Sequence, residues 1–252
     1  MITVYDIGPT TLRANATFGY SPFVRIIALI LRYKKLEHKI VPLRWSEFGN
    51  VAKSLNAKPT AIGTRPDGTA RYTVPFIHDS KHDRVVLDSL LIAEYLDAKY
   101  PDTPTVIPPG TKLLQASFQS DGVWTRFVPI QYNIVRTRYR QYVSDEFQKE
   151  REAVSGPVPF PSAEEQKAAW EKSKAAFNVE LVKLFEKADV GDDTFIMGKE
   201  PTFGDFTIAA LFGGLRLVWG KDSEEWKEAQ TWMGGRVGKI CEKLAKDLVE
   251  YD

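Results

Sequence analysis

The chain has 252 residues, long enough for one large domain or two small ones, either able to bury a full core. Hydrophobic residues make up 43% and charged residues 27%, and a net charge of +1 supplies no global pull toward nucleic acid or an acidic membrane surface. The only cysteine, Cys241, excludes an intrachain disulfide, three scattered histidines form no metal-ligand cluster, and the longest aliphatic run, Ile26 to Leu31, is far too short to span a bilayer. With an N-terminus that reads as a strand rather than a signal peptide, an intracellular, cytoplasmic protein is expected.

Residues 2–7 are β-branched and aromatic, end at Gly8-Pro9, and read as a first strand. A polar loop runs to about Tyr20. Ser21-Pro22 then opens a continuous apolar stretch to Arg32, a buried helix with Ser as N-cap and Pro at its first position. His38 to Leu43 reads as a second strand, Ser46 to Leu55 as a short helix, and residues 56–72, rich in Pro, Gly, Thr and Arg, as a long connection. Two strands follow, 74–79 and 84–88, then a helix from Ser89 with apolar residues at helical spacing. The order βαβα, then ββα, is a thioredoxin-like α/β topology over residues 1–102. Four prolines between Pro101 and Pro109 mark a linker. From 110 to 252 helical periodicity dominates, over roughly 112–154, 163–188, 203–219 and 225–250, an all-α second domain. Two helix starts carry capping boxes, Ser162 with Glu165 and Thr202 with Asp205.

Three features carry chemistry. Pro75 stands inside an apolar strand, where it cannot donate to the ladder. Two readings fit it: a trans proline on an edge, or a cis bond that turns the Val74 backbone outward to pair with a peptide ligand. Asp88-Ser89 sits where a strand becomes a helix. There Asp88 either caps the helix or holds an ammonium group, while Ser89 and the first N–H groups suit a carboxylate. Ser21-Pro22 sets a hydroxyl donor at the positive end of a helix dipole, which reads first as an N-cap. The run from Arg136 to Tyr142 resembles nucleic-acid bait, but a solvated helical face fits a near-neutral chain better, so no nucleic-acid partner is expected.

The spacing of Val74-Pro75, Asp88-Ser89 and Ile92-Ala93-Glu94-Tyr95-Leu96, with Leu87 through Asp102, resembles the N-terminal domain of cytosolic glutathione transferases. Within that superfamily, Ile2 to Asp6 together with Ser21-Pro22-Phe23-Val24 looks like the etherase-type enzymes: bacterial lignin β-etherases and the fungal FuA class. The resemblance implies a two-domain transferase fold, glutathione as co-substrate without a metal, and a homodimer. It makes Ser21 the thiol activator, Asn15 a polar assistant, and Tyr5 a rival that on a central strand reads as core. It gives Val74, Pro75, Asp88 and Ser89 to glutathione, with Arg44, Trp45, Lys58 and Thr73 as candidates for its glycine end. Phe18, Tyr20, Phe23, Trp124, Phe127 and Tyr132 become candidates for a site taking small aromatic molecules. The implied activity is attack of the thiolate on aromatic electrophiles or peroxides, including ether cleavage. A ligandin, carrying plant or wood polyphenols with little catalysis, is the alternative.

Overall fold

In a computed structural model, described over residues 1–8, 21–59, 72–140, 143–157, 160–188 and 193–246, the chain divides into two compact units. The first joins Met1–Val106 to Tyr142–Val158 and the second joins Ile107–Gln141 to Pro159–Asp252. The first is built on one mixed four-stranded sheet, β1 (Ile2–Ile7), β2 (His38–Leu43), β3 (Phe76–Asp79) and β4 (Arg84–Leu87), in the spatial order β2-β1-β3-β4. β1 and β2 are parallel, from Ile2 against His38 to Ile7 against Leu43. β1 and β3 are antiparallel, as are β3 and β4, with Tyr5 against Phe76 and Phe76 against Leu87.

Strand alternation divides β1 between two faces. Ile2, Val4 and Asp6 are buried on one side, where α1 (Pro22–Tyr33) and α3 (Ser89–Lys99) pack together. The unbroken apolar run expected in α1 is explained by this position: Val24 through Leu31 are all buried, and each fully buried branched side chain contributes about 1.5–3 kcal/mol. On the other side Tyr5 and Ile7 meet Phe48 and Ala52 of α2 (Phe48–Ser54), with Leu43, Phe76 and Leu87. The Val74–Pro75 bond is cis, and β3 starts at Phe76, two residues later than the sequence suggests; Pro75 brings no N–H to the ladder.

Two polar clusters hold this unit. Asp79, wholly buried at the end of β3, accepts hydrogen bonds from Tyr95 Oη at 2.8 Å, Tyr100 Oη at 2.7 Å, Lys81 N at 3.0 Å and His82 Nδ1 at 2.7 Å. Burial alone would raise the Asp79 carboxyl, but the donors from His82, Tyr100, Tyr95 and Lys81 reverse this and hold it at about 2. Lys34 extends its buried ammonium to Asp97 at 2.6 Å, Thr103 Oγ1 at 3.1 Å and the Pro104 carbonyl at 2.7 Å, which uses all three donors. Asp97 also accepts the Val106 N–H at 3.1 Å. The proline-rich stretch after α3 is therefore pinned to the unit up to Val106.

The second unit is helical. Its first chain segment runs through α4 (Lys112–Ser117), a π-helical stretch Phe118–Trp124, α5 (Thr125–Ile130), a second π stretch Gln131–Val135 and α6 (Arg136–Tyr139). Gln115, Val123 and Phe127 are buried at multiples of four residues, a spacing that drifts about 40° per turn on an ideal α-helix. The wider π turns absorb that surplus and keep one face inward. Arg126 Nη1 takes up two carbonyls of the first π stretch, those of Asp121 and, at 3.1 Å, Gly122. α8 (Ala163–Ala175), a third π stretch Ala176–Leu181 and α9 (Val182–Lys187) follow, then α10 (Phe203–Trp219), α11 (Glu224–Ala229) and α12 (Arg236–Leu244).

Both expected capping regions form. Ser162 and Glu165 exchange hydrogen bonds, and Asp205 accepts from Thr202 N at 2.8 Å, Thr202 Oγ1 at 3.0 Å and Ile196 N at 2.9 Å. Burial nonetheless pushes the Asp205 carboxyl up to about 6.

Two expected helices break. The span 112–154 ends at α6 and restarts as α7 (Asp145–Ser155), capped by Ser144 and packed in the first unit. The span 225–250 divides between α11 and α12, because Met233, Gly234 and Gly235 take left-handed φ values of 57°, 64° and 81°. The basic run is occupied by aromatic rings: Arg136 lies over Tyr132 at 4.2 Å, Arg138 over Trp219 at 5.3 Å and Arg140 over Phe160 at 4.1 Å. No described helix is long and apolar enough to cross a membrane.

Candidate functional site

Ser21, Arg44, Val74 and Asp88 come from four separate segments, yet the sheet sets them in a row along one edge. Arg44 and Trp45 follow the last residue of β2, and Gly8 N, at the end of β1, donates to Leu43 O at 2.8 Å. Ser21 is tied to the same end of β1 by its N–H, which donates to Asp6 Oδ1 at 3.1 Å. Val74 and Pro75 precede β3, and Asp88 and Ser89 follow β4. Asp88 N donates to Pro75 O at 3.3 Å, which holds these last two segments together. The row therefore reads Arg44, Ser21, Val74, Asp88 across β2, β1, β3 and β4. Three strand spacings give it a length of about 14 Å.

The Ser21 backbone caps α1 through its carbonyl, which accepts from Arg25 N at 3.0 Å, but its side chain makes no cap hydrogen bond to the first turn. Ser21 is buried, at 5% exposure, with extended φ and ψ of −68° and 131°. The plain N-cap reading is thus not what its hydroxyl does.

Asp88 does cap. Its Oδ1 accepts from Leu90 N at 2.9 Å and Leu91 N at 3.2 Å, so that reading of the residue is realised at the start of α3. Both bonds fall on one oxygen. Asp88 also takes φ 75° and ψ 132°, an uncommon region for a residue with a Cβ, and such strain is stored where surrounding structure has a use for it. Ser89, at 4% exposure, begins the helix beside it.

Val74 lies two residues before the first paired residue of β3, so the β1–β3 ladder, which starts at Phe76, leaves its backbone out. Thr73 beside it is exposed. Tyr5 belongs to the core: its ring stacks on Phe76 at 4.4 Å, and burial raises its hydroxyl pKa.

Among the candidates for a terminal anchor, Arg44 is engaged. Its Nη2 pairs with Glu146 and, at 2.8 Å, with Glu150, both on α7, and its Nε donates to Glu150 at 2.8 Å. Hydrogen bonds to Glu146 and Glu150 raise its pKa. Trp45 packs on Phe48 at 5.5 Å and on Phe147 of α7 at 6.3 Å, and its Nε1 is buried with no hydrogen-bond partner among the described residues. Lys58 is exposed on the far side of the unit, lining a groove of about 360 Å³ with His78 and Arg84. Sequence reading missed Glu146 and Glu150. Their signal was a four-residue spacing that places two acids on one helix face.

Of the residues expected to line an aromatic site, Asn15, Phe18 and Tyr20 lie outside the described residues. Phe23 on α1 and Trp124 are half-buried, and Tyr132 is exposed beneath Arg136. Phe127 corrects the expectation. It has no exposed surface and its ring stands edge-on to Phe212 at 5.3 Å, which makes it core of the second unit, not a surface a ligand can touch. Among the described residues no group of three or more His, Cys, Asp or Glu side chains could hold a metal ion. Cys241 is buried and its thiol pushed up to about 12, far from a nucleophile.

The family model described as the N-terminal domain of glutathione S-transferase matches residues 20–99, and the C-terminal domain model matches residues 113–246. A glutathione S-transferase of Ceriporiopsis subvermispora, CsGST83044, solved in complex with glutathione, is 27% identical with a TM-score of 0.83, covering 97% of this chain and 98% of that one. A second from that organism with glutathione, CsGST63524, is 31% identical with a TM-score of 0.80, covering 97% and 96%. Glutathione transferase GSTFuA2 from Phanerochaete chrysosporium is 31% identical with a TM-score of 0.81, covering 100% and 99%. No curated protein sequence matches the chain.

Proposed function

The chain belongs to the cytosolic glutathione transferases, in their fungal FuA-like branch, and on that footing we propose that it ionises the glutathione thiol at Ser21 for attack on aromatic electrophiles or peroxides. The observation that carries this reading is the row Arg44, Ser21, Val74, Asp88 along one sheet edge. An extended tripeptide spans about 10 Å, and the γ-glutamyl linkage lengthens it by two methylene carbons, which suits a row of about 14 Å.

The ligand lies with its γ-glutamyl ammonium at the Asp88 carboxylate and its α-carboxylate at Ser89 and the start of α3. Its cysteinyl backbone pairs with Val74, beside Thr73 and Pro75, as a short added strand. That places the thiol at the end of β1, where the Ser21 hydroxyl and the N-terminus of the twelve-residue α1 both stabilise negative charge. A free thiol titrates near about 8.5, and each unit of depression costs the site about 1.4 kcal/mol of differential stabilisation. The hydroxyl has no cap to maintain, so it donates to sulfur without a loss to the helix. Phe23, at the start of α1, contributes to the site for the aromatic co-substrate. A cytoplasmic homodimer fits the family, and the lone buried cysteine fits a reducing compartment.

Asp88→Asn tests this placement. Asn keeps the cap and tolerates the left-handed φ, but it lacks the charge. Calorimetry should show glutathione binding weakened roughly ten- to a hundredfold at unchanged melting temperature. Unchanged affinity would remove Asp88 from the site.

A further inference from the structure

The groove beside Lys58 shares no residue with the row. It lies within the sheet unit, between the end of α2 and the β3–β4 hairpin. Ser54, Leu55, Asn56 and Lys58 line it from the helix side, and His78, Asp83, Arg84 and Val85 from the hairpin. His78 follows Val74 by four residues and Arg84 precedes Asp88 by four, so the groove lies about 13 Å from the row along the strands. Its volume of about 360 Å³ falls at the small end of the range of about 300–1,000 Å³ found for ligand sites.

Two of its residues are apolar: Leu55 and Val85 are half-buried and pack on the cluster of Phe48, Phe76 and Leu87. The charged lining is mainly basic. Lys58 and Arg84 are permanently charged and His78 adds an imidazole. The one acid, Asp83, stands 3.7 Å from His78 with its side chain fully in solvent, where its charge is screened. The Lys58 ammonium and the Asn56 carboxamide have no hydrogen-bond or ion-pair partner among the described residues. The last turn of α2 opposes an anion little, because its carbonyls are occupied. Val51 O accepts from Leu55 N at 3.2 Å and Ser54 Oγ at 2.8 Å, Ala52 O from Ala57 N at 2.9 Å, and Lys53 O from Asn56 N at 2.9 Å. Asn56 makes this turn with a left-handed φ of 54°.

We propose that this groove is a second ligand site, for a small organic phosphate. A phosphate monoester carries a charge of about −1.5 to −2 near pH 7 and three strong acceptor oxygens. Those suit Lys58 as a point charge, Arg84 as a planar fork and Asn56 as a neutral donor. The organic part lies on Leu55 and Val85, so inorganic phosphate, which has none, binds less tightly. The ligand binds with glutathione in place, since the groove and the row have no residue in common. Lys58 thus serves a different anion from the glycyl carboxylate.

The test titrates the full chain with phenyl phosphate by calorimetry, with and without saturating glutathione, and with inorganic phosphate for comparison. One phenyl phosphate should bind per chain, equally well in both conditions and more tightly than inorganic phosphate. Lys58 and Arg84 are both exposed, so glutamine at either position leaves the core untouched. Lys58→Gln and Arg84→Gln should each weaken binding about two- to fivefold, and the double variant about tenfold. Phenyl phosphate should shift the backbone amide resonances of 54–58 and 83–85 and leave those of 88–91 in place. No binding to the wild type, full affinity in the double variant, or inorganic phosphate bound as tightly as phenyl phosphate would overturn the site. So would displacement by glutathione with shifts confined to 88–91, which would assign the phosphate to the row.

Discussion

Ser21→Ala separates catalysis from architecture unusually cleanly. The Ser21 N–H donates to Asp6 Oδ1 and its carbonyl accepts from Arg25 N, and alanine retains both. The hydroxyl makes no cap hydrogen bond, so the cap loss of about 1 kcal/mol that normally follows such a substitution should not appear. Stability should move by no more than a few tenths of a kcal/mol. If the hydroxyl instead serves the sulfur, its removal deletes one charge-assisted hydrogen bond, about 1.5–3 kcal/mol, or roughly a ten- to hundredfold fall in turnover. The bound thiol should titrate one to two units higher, on the order of that same energy. Glutathione affinity should change little, since the γ-glutamyl and backbone contacts remain. Thermal melting, calorimetry and ultraviolet titration of bound thiolate, on one preparation, resolve all three. Full turnover per folded molecule with a lowered melting temperature would refute the assignment and return Ser21 to a structural role. Negligible turnover in the wild type beside tight binding of polyphenols would favour the ligandin reading.

The remaining expectations are more local. Asp79 titrates at about 2 in the folded chain against about 3.9 when unfolded, so its stabilisation is full above pH 4 and is lost as pH falls from there toward 2. Asp79→Asn should flatten that acid limb by about 2 kcal/mol in urea unfolding at successive pH values, and an unchanged limb would exclude the cluster as its source. Asp205 runs the other way: its folded pKa of about 6 is raised, so its favourable contribution is present below about pH 4 and lost as pH rises through 6. Lys34→Met leaves Asp97 without its cation and should cost about 3–5 kcal/mol, most of it recovered by adding Asp97→Leu; a neutral single variant would contradict the buried pair. Light scattering at micromolar concentration should give the mass of a dimer, and a monomer mass would remove the homodimer.

Local chemistry made much of this fold readable. Ser21-Pro22 marked the start of α1, and the β-branched and aromatic residues before Gly8-Pro9 marked β1. The returning acids Glu165 and Asp205 located the starts of α8 and α10. The errors have different causes, and the first was decided by packing beyond the local window. No proline or glycine separates Arg140 from Ser144, so nothing local announced that α7 leaves its chain neighbours for the sheet unit. Its cap, Ser144 to Phe147 N at 3.2 Å, was the single cue. Gly234-Gly235 was a visible breaker overridden by the apolar periodicity on either side. Phe127 was placed on a ligand surface by resemblance, which does not say what covers a helix face, and Phe212, 85 residues later, is what covers it.

The site shows where such reading stops. Ser21, Pro75 and Asp88-Ser89 were each recognisable, because helix starts and an intrastrand proline leave local traces. Their order in space is not their order in sequence. Arg44 comes after Ser21 in the chain but lies outside it in the row, because the parallel crossover from β1 through α1 puts β2 at the edge while β3 pairs with the other side of β1. That permutation gives the row a direction: a carboxylate at one end, a guanidinium at the other, and a hydroxyl on a helix N-terminus between them. A zwitterionic γ-glutamyl head, a thiol and a terminal carboxylate occur in that order in only one sense of the peptide. On the proposed placement, the topology and no single motif sets which end of the ligand meets Asp88 and which meets Arg44. Exchanging the charges, Asp88→Arg with Arg44→Asp, should accordingly abolish glutathione binding and not restore it in reverse, because the helix N-terminus at Ser89 still demands a carboxylate at its end of the row. Recovery of affinity in that double variant, measured by calorimetry, would mean that the ligand is oriented by charge alone.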